Sequence, residues 1–364
     1  MVSIEQSKKD ILVVLGSGRW GGGEKNCIDL ISKLRHSFNF TVIHCPGEMI
    51  SEILDKKKIR RYEFPLHKSP SPSKIYHFIK LIKKVKPYLI HSHLNRANLY
   101  LSLAKPWLNC KWISSVHGFT SQIYNILPDH LICVSKAIQN DLPTIFRRKS
   151  TLIYNGIEQL NQKHRTSISK KRSVNSKENM HALVLATIHP NKGQIFVCEA
   201  LRNYESDVTI KFVGTGCEKN TQELINSIGE TANTELENNV VSNIEFYLEQ
   251  ADFVIIPSYK EALSYVAIES LSYGIPVLAS RTGGLLEVIT EEFNGYFFQP
   301  GNISSFRIAL EKMVLNCQTL KQNLIEKPFL VNNIKFTLNH MTDGVRSLYE
   351  DTLVKNEPPR DRRP

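Results

Sequence analysis

Two glutamates separated by seven residues, Glu261 and Glu269, stand where an apolar run (DFVIIPS, 252–258) gives way to helical spacing between Tyr265 and Tyr273. They bracket a helix N-terminus. The first amides of such a helix have no intrahelical partner and face the crevice at a strand's carboxyl end, where a negative charge is favoured. The turn amides of Leu263, Ser264 and Tyr265 are therefore suited to a diphosphate. Glu269, about one turn into the helix, is placed to accept both ribose hydroxyls, and Glu261 to bind sugar hydroxyls. Glutamates at this spacing also occur on solvated helix faces, so the pair draws its meaning from its surroundings. These are Pro257-Ser258 at the strand end, a turn and strand SYGIPVLAS (272–280), and Gly283-Gly284 followed by Glu287.

A second constellation is the glycine cluster GSGRWGGGEK (16–25), which follows a strand and opens a helix. Backbone amides in such a loop can receive an anion. Gly16, Gly18 and Gly21 form a G-x-G-x-x-G, yet a dinucleotide site also wants an acid at the end of the next strand, and that strand ends His44-Cys45-Pro46. A nicotinamide cofactor is disfavoured, and a tight turn without a ligand is the competing reading. His91 and His93 flank a strand end, with lining and packing roles both open. No third ligand accompanies them at zinc spacing. The chain contains no Asp-x-Asp, the usual means of holding a divalent metal against a nucleotide diphosphate, so no metal is expected.

The elements that position these residues read as alternating strands and helices. Short aliphatic runs (ILVVL 11–15, FTVIHC 40–45, YLIHSH 88–93, WISSV 112–116, HLICVS 130–135, TLIYN 151–155) are separated by amphipathic stretches such as EKNCIDLISKLRHSF and SKIYHFIKLIKKVK. A second series follows (ALVLA 182–186, VTIKFVG 208–214, DFVIIPS, IPVLAS 275–280, GYFFQP 295–300). This alternation gives βαβ units and parallel sheets, hence an α/β fold in two halves. The expected divisions are 1–157, a polar linker at 158–181, 182–340, and a helix with a charged tail at 341–364.

Composition sets the outer limits. With 364 residues, 41% hydrophobic and 22% charged, the chain reads as a globular protein of two domains. Seven scattered cysteines without a C-x-x-C pair indicate neither a disulfide framework nor a zinc site. The N-terminal apolar run is too brief for a signal peptide, and no stretch approaches the length of a membrane span, so a cytoplasmic location is expected. The net charge of +11 is uneven: residues 1–150 carry 24 Lys and Arg against 10 Asp and Glu (+14), and the remainder 22 against 25 (−3). The basic runs DKKKIRR (55–61) and SKIYHFIKLIKKVK (73–86) suit an anionic membrane surface, with a sheet-packing helix as the alternative. They lack interleaved stacking aromatics, which argues against nucleic acid.

The segment 257–289 resembles the Glu-x7-Glu signature of glycosyltransferase family 4. The resemblance extends over nearly the whole chain through the glycine loop with Glu24, HSH at 91–93, SVHGF around His117, ICVSKAI, IYNGIE, HPNKG and FVGTG, in the family's order. It implies the GT-B fold, with two Rossmann-like doubly wound domains facing each other across a cleft, and transfer from a nucleotide-sugar donor with retention of configuration. It also implies that Lys192 pairs with the donor diphosphate, that His117 lies near the donor sugar, and that Glu261 shares the catalytic site. Donor-binding positions would further include Leu263, Ser264, Tyr265, Glu269, Gly214 and Gly216. The glycine loop at Gly21, Gly22 and Gly23 would line the cleft, with His93, Asn155, Arg281, Gly283 and Gly284 as additional candidates. Two positions depart from the pattern: Thr187 stands where an arginine is usual, and Ala262 where glycine is frequent. Arg281 or backbone donors are the available substitutes for the missing cation.

The resulting expectation is a retaining glycosyltransferase that extends a cell-envelope glycan of lipopolysaccharide, capsule or O-antigen type, with a glycan or lipid-linked acceptor held by the first domain. It would use no cofactor and work in the cytoplasm or at the inner face of the membrane. The alternatives are a nucleotide-sugar epimerase of the same fold and a catalytically impaired sugar-nucleotide-binding or interaction protein.

Overall fold

The computed structural model describes residues 8–354 apart from 19, 120–121, 160–178, 232 and 242. Most of the expected linker, and the charged tail beyond 354, lie outside the described residues. The chain forms two compact units, Met1–Gly156 with Leu338–Pro364, and Ile157–Thr337.

The first unit is built on a parallel sheet of β1 (Asp10–Leu15), β2 (Asn39–His44), β3 (Arg60–Glu63), β4 (Leu89–His93), β5 (Lys111–Val116), β6 (His130–Cys133) and β7 (Ser150–Leu152), in the order β3-β2-β1-β4-β5-β6-β7. Ile11 to Leu15 form an unbroken buried run because both sheet faces are covered. Side chains alternate, so Ile11, Val13 and Leu15 face one core with α1 (Gly22–Leu34) and the helix Leu338–Val354. Leu12 and Val14 face a second core with α2 (Pro72–Val85) and α3 (Asn95–Ala104). Helix α2 is capped by Ser71, whose Oγ accepts from the Lys74 amide, and it starts with Pro72. Its Phe78, Ile82 and Val85 are buried against the sheet, with Ile75 and Ile79 packed beside them. The apolar stripe is thereby occupied, and Lys80, Lys83 and Lys84 stay on the solvated side.

In the second unit β8 (Met180–Leu185), β9 (Val208–Val213), β10 (Thr234–Glu237), β11 (Phe253–Ile256), β12 (Val277–Ser280) and β13 (Gly295–Phe298) form a parallel sheet in the order β10-β9-β8-β11-β12-β13. Its core joins Phe212, Phe253, Leu278 and Phe298 to α4 (Gln194–Leu201) and the long helix Ile303–Glu326. In each sheet the strand order reverses beside its first strand, between β1 and β4 and between β8 and β11. Doubly wound sheets bind ligands at the carboxyl ends of such strands.

Candidate functional site

In the second unit the switch point is furnished by two loops. After β8, Pro190–Lys192 forms a 3-10 turn in which His189 Nδ1 accepts from the Asn191 amide. After β11, Tyr259 N donates to Asn191 O at 2.9 Å, and Asn191 Nδ2 donates to Lys260 O at 2.9 Å. These bonds bring Lys192 Nζ to 2.6 Å from Glu261 Oε2, an oxygen that also accepts from Ser258 Oγ at 3.0 Å. Gly193 makes the approach possible. It sits at φ 69°, and a Cβ there would lie 2.1 Å from Pro257 O. On the other side Gly284 N donates to Glu261 O at 2.9 Å, and a Cβ on Gly284 would lie 2.0 Å from Ala262 O.

The helix α5 (Tyr265–Ser272) begins at the far side of the same turn. Ser264 caps it by accepting from the Ala267 amide at 3.3 Å. The Leu263 and Ser264 amides precede the helix ladder, and Glu269 is half-buried in its second turn. Gly214 and Gly216 close the neighbouring loop after β9, where Ile188 and Gly216 form a bridge. The structure thus brings Lys192, Glu261, Gly284 and the head of α5 together. Arg281 is engaged elsewhere: its guanidinium pairs with Glu291 and lies 4.7 Å over the Phe297 ring. Thr187 contributes its carbonyl, which accepts from Gln194 Nε2 at 3.0 Å.

At the switch point of the first unit two histidines gather, with Arg96 in the first turn of α3 packed beside Gly16. Gly16 N donates to His93 O at 3.1 Å, tying the end of β1 to the end of β4. Gly21 caps α1, Gly22 is exposed, and a Cβ on Gly23 would lie 3.0 Å from Leu94 Cδ2 and 3.8 Å from His117 Cδ2. Glu24 is buried at the third helical position, and burial pushes its carboxyl pKa up despite bonds from its own amide and Ser17. His117 Nε2 lies 2.9 Å from His93 Nδ1. Burial holds the His117 pKa down at about 4 and that of His91 at about 3, with repulsion from His117 adding to the latter. His91 is bonded on both sides, to Tyr349 OH at 2.6 Å and Ser115 Oγ at 2.8 Å. Asn155 is buried and its Oδ1 accepts from Asn26 Nδ2 at 2.9 Å, which occupies it inside the unit.

Three features escape the sequence reading. Ser258 holds Glu261, and its only signal is its place two residues beyond β11. Asn191 bridges the two loops from within HPNKG. Leu94, at φ 72° and ψ 154°, adopts a backbone region that almost only glycine visits, immediately after His93. Among the described residues no group of three or more His, Cys, Asp or Glu side chains is arranged to hold a metal ion.

A family model described as Glycosyltransferase Family 4 matches residues 20–159, and one described as Glycosyl transferases group 1 matches residues 165–331. An uncharacterised glycosyltransferase of Methanocaldococcus jannaschii is 25% identical over 228 residues, 61% of this chain and 60% of that relative. The chain therefore spans about three fifths of the length of that relative, and 58% of a second one from the same organism. The UDP-Gal:alpha-D-GlcNAc-diphosphoundecaprenol alpha-1,3-galactosyltransferase of Escherichia coli is 24% identical over 319 residues, 76% of this chain and 78% of that relative. Among solved structures, HepE of Anabaena in complex with UDP and glucose has a TM-score of 0.79 at 19% identity, covering 94% of this chain and all of that one. A glycosyltransferase of Rickettsia africae has a TM-score of 0.76 at 21% identity, covering 96% and 100%. With one family model over residues 20–159, the other over 165–331, and two Rossmann-like units, the chain belongs to glycosyltransferase family 4 and has the GT-B fold.

Proposed function

We propose that the protein transfers a sugar, with retention of configuration, from a nucleotide-sugar donor to a cell-envelope glycan of lipopolysaccharide, capsule or O-antigen type. The observation that carries this reading is the Lys192–Glu261 pair beside the head of α5, at the switch point of the second unit. The lysine would take a diphosphate oxygen, the preceding amides the remaining phosphate charge, Glu269 the ribose and Glu261 the sugar hydroxyls. In a front-face substitution the acceptor oxygen bonds the anomeric carbon on the side from which the phosphate oxygen departs. The acceptor proton passes to that oxygen, so no protein base is needed. Charge growing on the leaving group is offset by Lys192. Neither a cofactor nor a metal has a part in this scheme. The HepE complexes contain UDP, glucose or UDP-glucose, and the Escherichia coli relative is named for UDP-Gal and a diphosphoundecaprenol-linked acceptor; both accord with this reading.

The first unit is assigned the acceptor, with the glycine loop and His117 at its ligand end. We place its work in the cytoplasm at an anionic lipid surface. Residues 101–150 carry six Lys and Arg against two Asp (+4). In the same region Leu103, Trp107, Ile126 and Leu127 are exposed. Lys149 Nζ is bonded to the carbonyls of Ile126 and Pro128, which sets a cation beside the exposed Ile126 and Leu127. No described helix is long and apolar enough to cross a membrane.

The decisive experiment is a panel of UDP-, GDP- and ADP-sugars assayed for binding, slow hydrolysis and transfer, with Lys192→Ala and Glu261→Ala in parallel. A donor bound by the wild type and not processed by either variant is expected. Transfer unaffected by both substitutions would end this reading. Binding without turnover for every donor would favour the sugar-nucleotide-binding alternative, for which Thr187 is the supporting residue. Product without an added acceptor would favour an epimerase. Flotation with anionic vesicles, lost in Trp107→Ser/Ile126→Ser, tests the lipid surface.

A further inference from the structure

We propose that His93 is a positioning residue that fixes the tautomer of His117, so that His117 presents Nδ1–H as a donor to a ligand oxygen. The inference rests on the reading of His117 as a ligand-facing group. Geometry allows His93 no other task through this atom: it ends β4 fully buried, and its Nδ1 is 2.9 Å from His117 Nε2. The two rings lie 5.2 Å apart, 21° from parallel. On its other side stands the His91 ring, 4.3 Å away. His91 has both nitrogens bonded within the unit, to Tyr349 and Ser115, so it cannot exchange roles with His93.

One proton lies in the His93–His117 bond, and its owner decides what His117 offers. If it belonged to His117, neutral His93 would carry its own proton on Nε2, which is buried without a partner among the described residues. A stranded buried N–H is among the rarest features of folded proteins. If the proton belongs to His93, Nε2 is a bare lone pair and no donor is stranded. His117 Nε2 then accepts, and the proton of neutral His117 must sit on Nδ1. Burial keeps both rings neutral at ordinary pH, which preserves the single-proton arrangement. The backbone supports the placement: Leu94, directly after His93, holds its strained conformation against Gly23, whose Cβ position is bounded by Leu94 and His117. His93 therefore joins the glycine loop to the ring that meets the ligand. A donor aimed from Nδ1 suits a hydroxyl or phosphoryl oxygen of a sugar ligand.

The test compares near-isosteric substitutions with opposite hydrogen-bonding capacity at the Nδ1 position. In His93→Asn the amide nitrogen can still donate to His117 Nε2, and in His93→Asp the carboxylate can only accept. Proteins labelled with 15N-histidine are examined by NMR, with the His117 resonances assigned by their loss in His117→Gln. Wild type and His93→Asn should show His117 protonated on Nδ1 and bare on Nε2, and His93→Asp should place a proton on Nε2. Steady-state kinetics should leave His93→Asn within about threefold of wild type in kcat/KM for the donor. His93→Asp should lose about tenfold, the scale of one misdirected hydrogen bond. Thermal melting identifies variants that fail to fold, and the wild-type spectrum alone then still decides the tautomer. A wild-type His117 protonated on Nε2 would overturn the proposal, as would equal losses in two folded variants. If no donor is ever processed, the family-based reading of the site fails while the NMR result still judges the tautomer.

Discussion

Removing each partner of the Lys192–Glu261 pair should have opposite effects on nucleotide affinity. In the free protein the ammonium is held by the carboxylate at 2.6 Å, with the lysine side chain 29% and the glutamate 11% exposed. The bare Coulomb attraction at an effective dielectric of ~20 is about 6 kcal/mol. Solvent reaches the lysine, and desolvation opposes the pairing, so the net worth is nearer ~1 kcal/mol. A charge-assisted bond from the same ammonium to a diphosphate is worth roughly 1.5–3 kcal/mol. Binding therefore exchanges one bond for a stronger one, a net gain of about 0.5–2 kcal/mol, or roughly 2- to 30-fold. Lys192→Met should lose that factor in affinity for the nucleoside diphosphate of the active donor. Glu261→Gln, which removes the competing charge and keeps a hydrogen-bonding side chain, should bind the same diphosphate up to about fivefold more tightly. Both variants should transfer poorly, Lys192→Met by on the order of 100- to 1,000-fold in kcat, as when a donor to developing negative charge is deleted. Isothermal titration of the sugar-free diphosphate, set beside kcat, separates the two effects. If Glu261→Gln weakened diphosphate binding as much as Lys192→Met does, the exchange would be wrong and Glu261 would be a phosphate-site organiser.

Other perturbations follow from the packing. Gly193→Ala forces a Cβ to within 2.1 Å of Pro257 O at a positive φ, and should cost on the order of 3 kcal/mol. Gly229→Ala, where a Cβ meets nothing within 4 Å, is the near-neutral control, and thermal melts should resolve about 2 to 4 °C per kcal/mol. Lys321→Met takes the cation from the buried Asp252 carboxylate, which Lys321 meets at 2.9 Å and which keeps the bond from the His181 amide, and should destabilise by about 3 kcal/mol. Adding Asp252→Asn should recover much of that loss in urea titrations. His91 stays neutral when folded down to about pH 3 and takes a proton near pH ~6.5 when unfolded. The unfolded chain then binds the extra proton, so His91 alone should lower stability by up to about 1.4 kcal/mol per pH unit as pH drops below ~6.5. His91→Asn should remove that share of the slope between pH 7 and 5, while the buried His93 and His117 keep theirs.

The central strands were legible because parallel strands buried on both faces need uninterrupted aliphatic runs, as in Ile11–Leu15 and Phe253–Ile256. Of the edge strands, β7 and β13 were legible and β3 and β10 were not. β3 reads RRYE and β10 reads TELE, sequences that look like solvated loops because an edge strand has only one neighbour to satisfy. In the run DKKKIRR, Arg61 is clamped by Asp55 and Glu63, so part of the apparent basic patch is internally neutralised. The helix Leu338–Val354 shows its apolar stripe in the sequence without showing which core it covers. Only the fold assigns Met341, Val345 and Tyr349 to the first unit. Positive φ at Leu94 has no sequence signal, since leucine is among the residues least expected there.

Charge distribution along the chain points away from where charge is used. The first 150 residues carry +14, yet the ends of β4 and β5 present two histidines that burial keeps neutral. The remainder carries −3, yet its switch point holds a lysine in reach of a helix N-terminus. Net charge acts over a surface and sets long-range attraction, whereas a ligand subsite is set by the few groups that desolvate against it. A pair of neutral histidines suits hydroxyl groups, and a lysine released from a carboxylate suits phosphate. The division of labour assigned to the two units therefore rests on what lies at the carboxyl ends of their strands. Under the proposed function the basic exterior of the first unit would serve a different partner, an anionic surface that presents the acceptor.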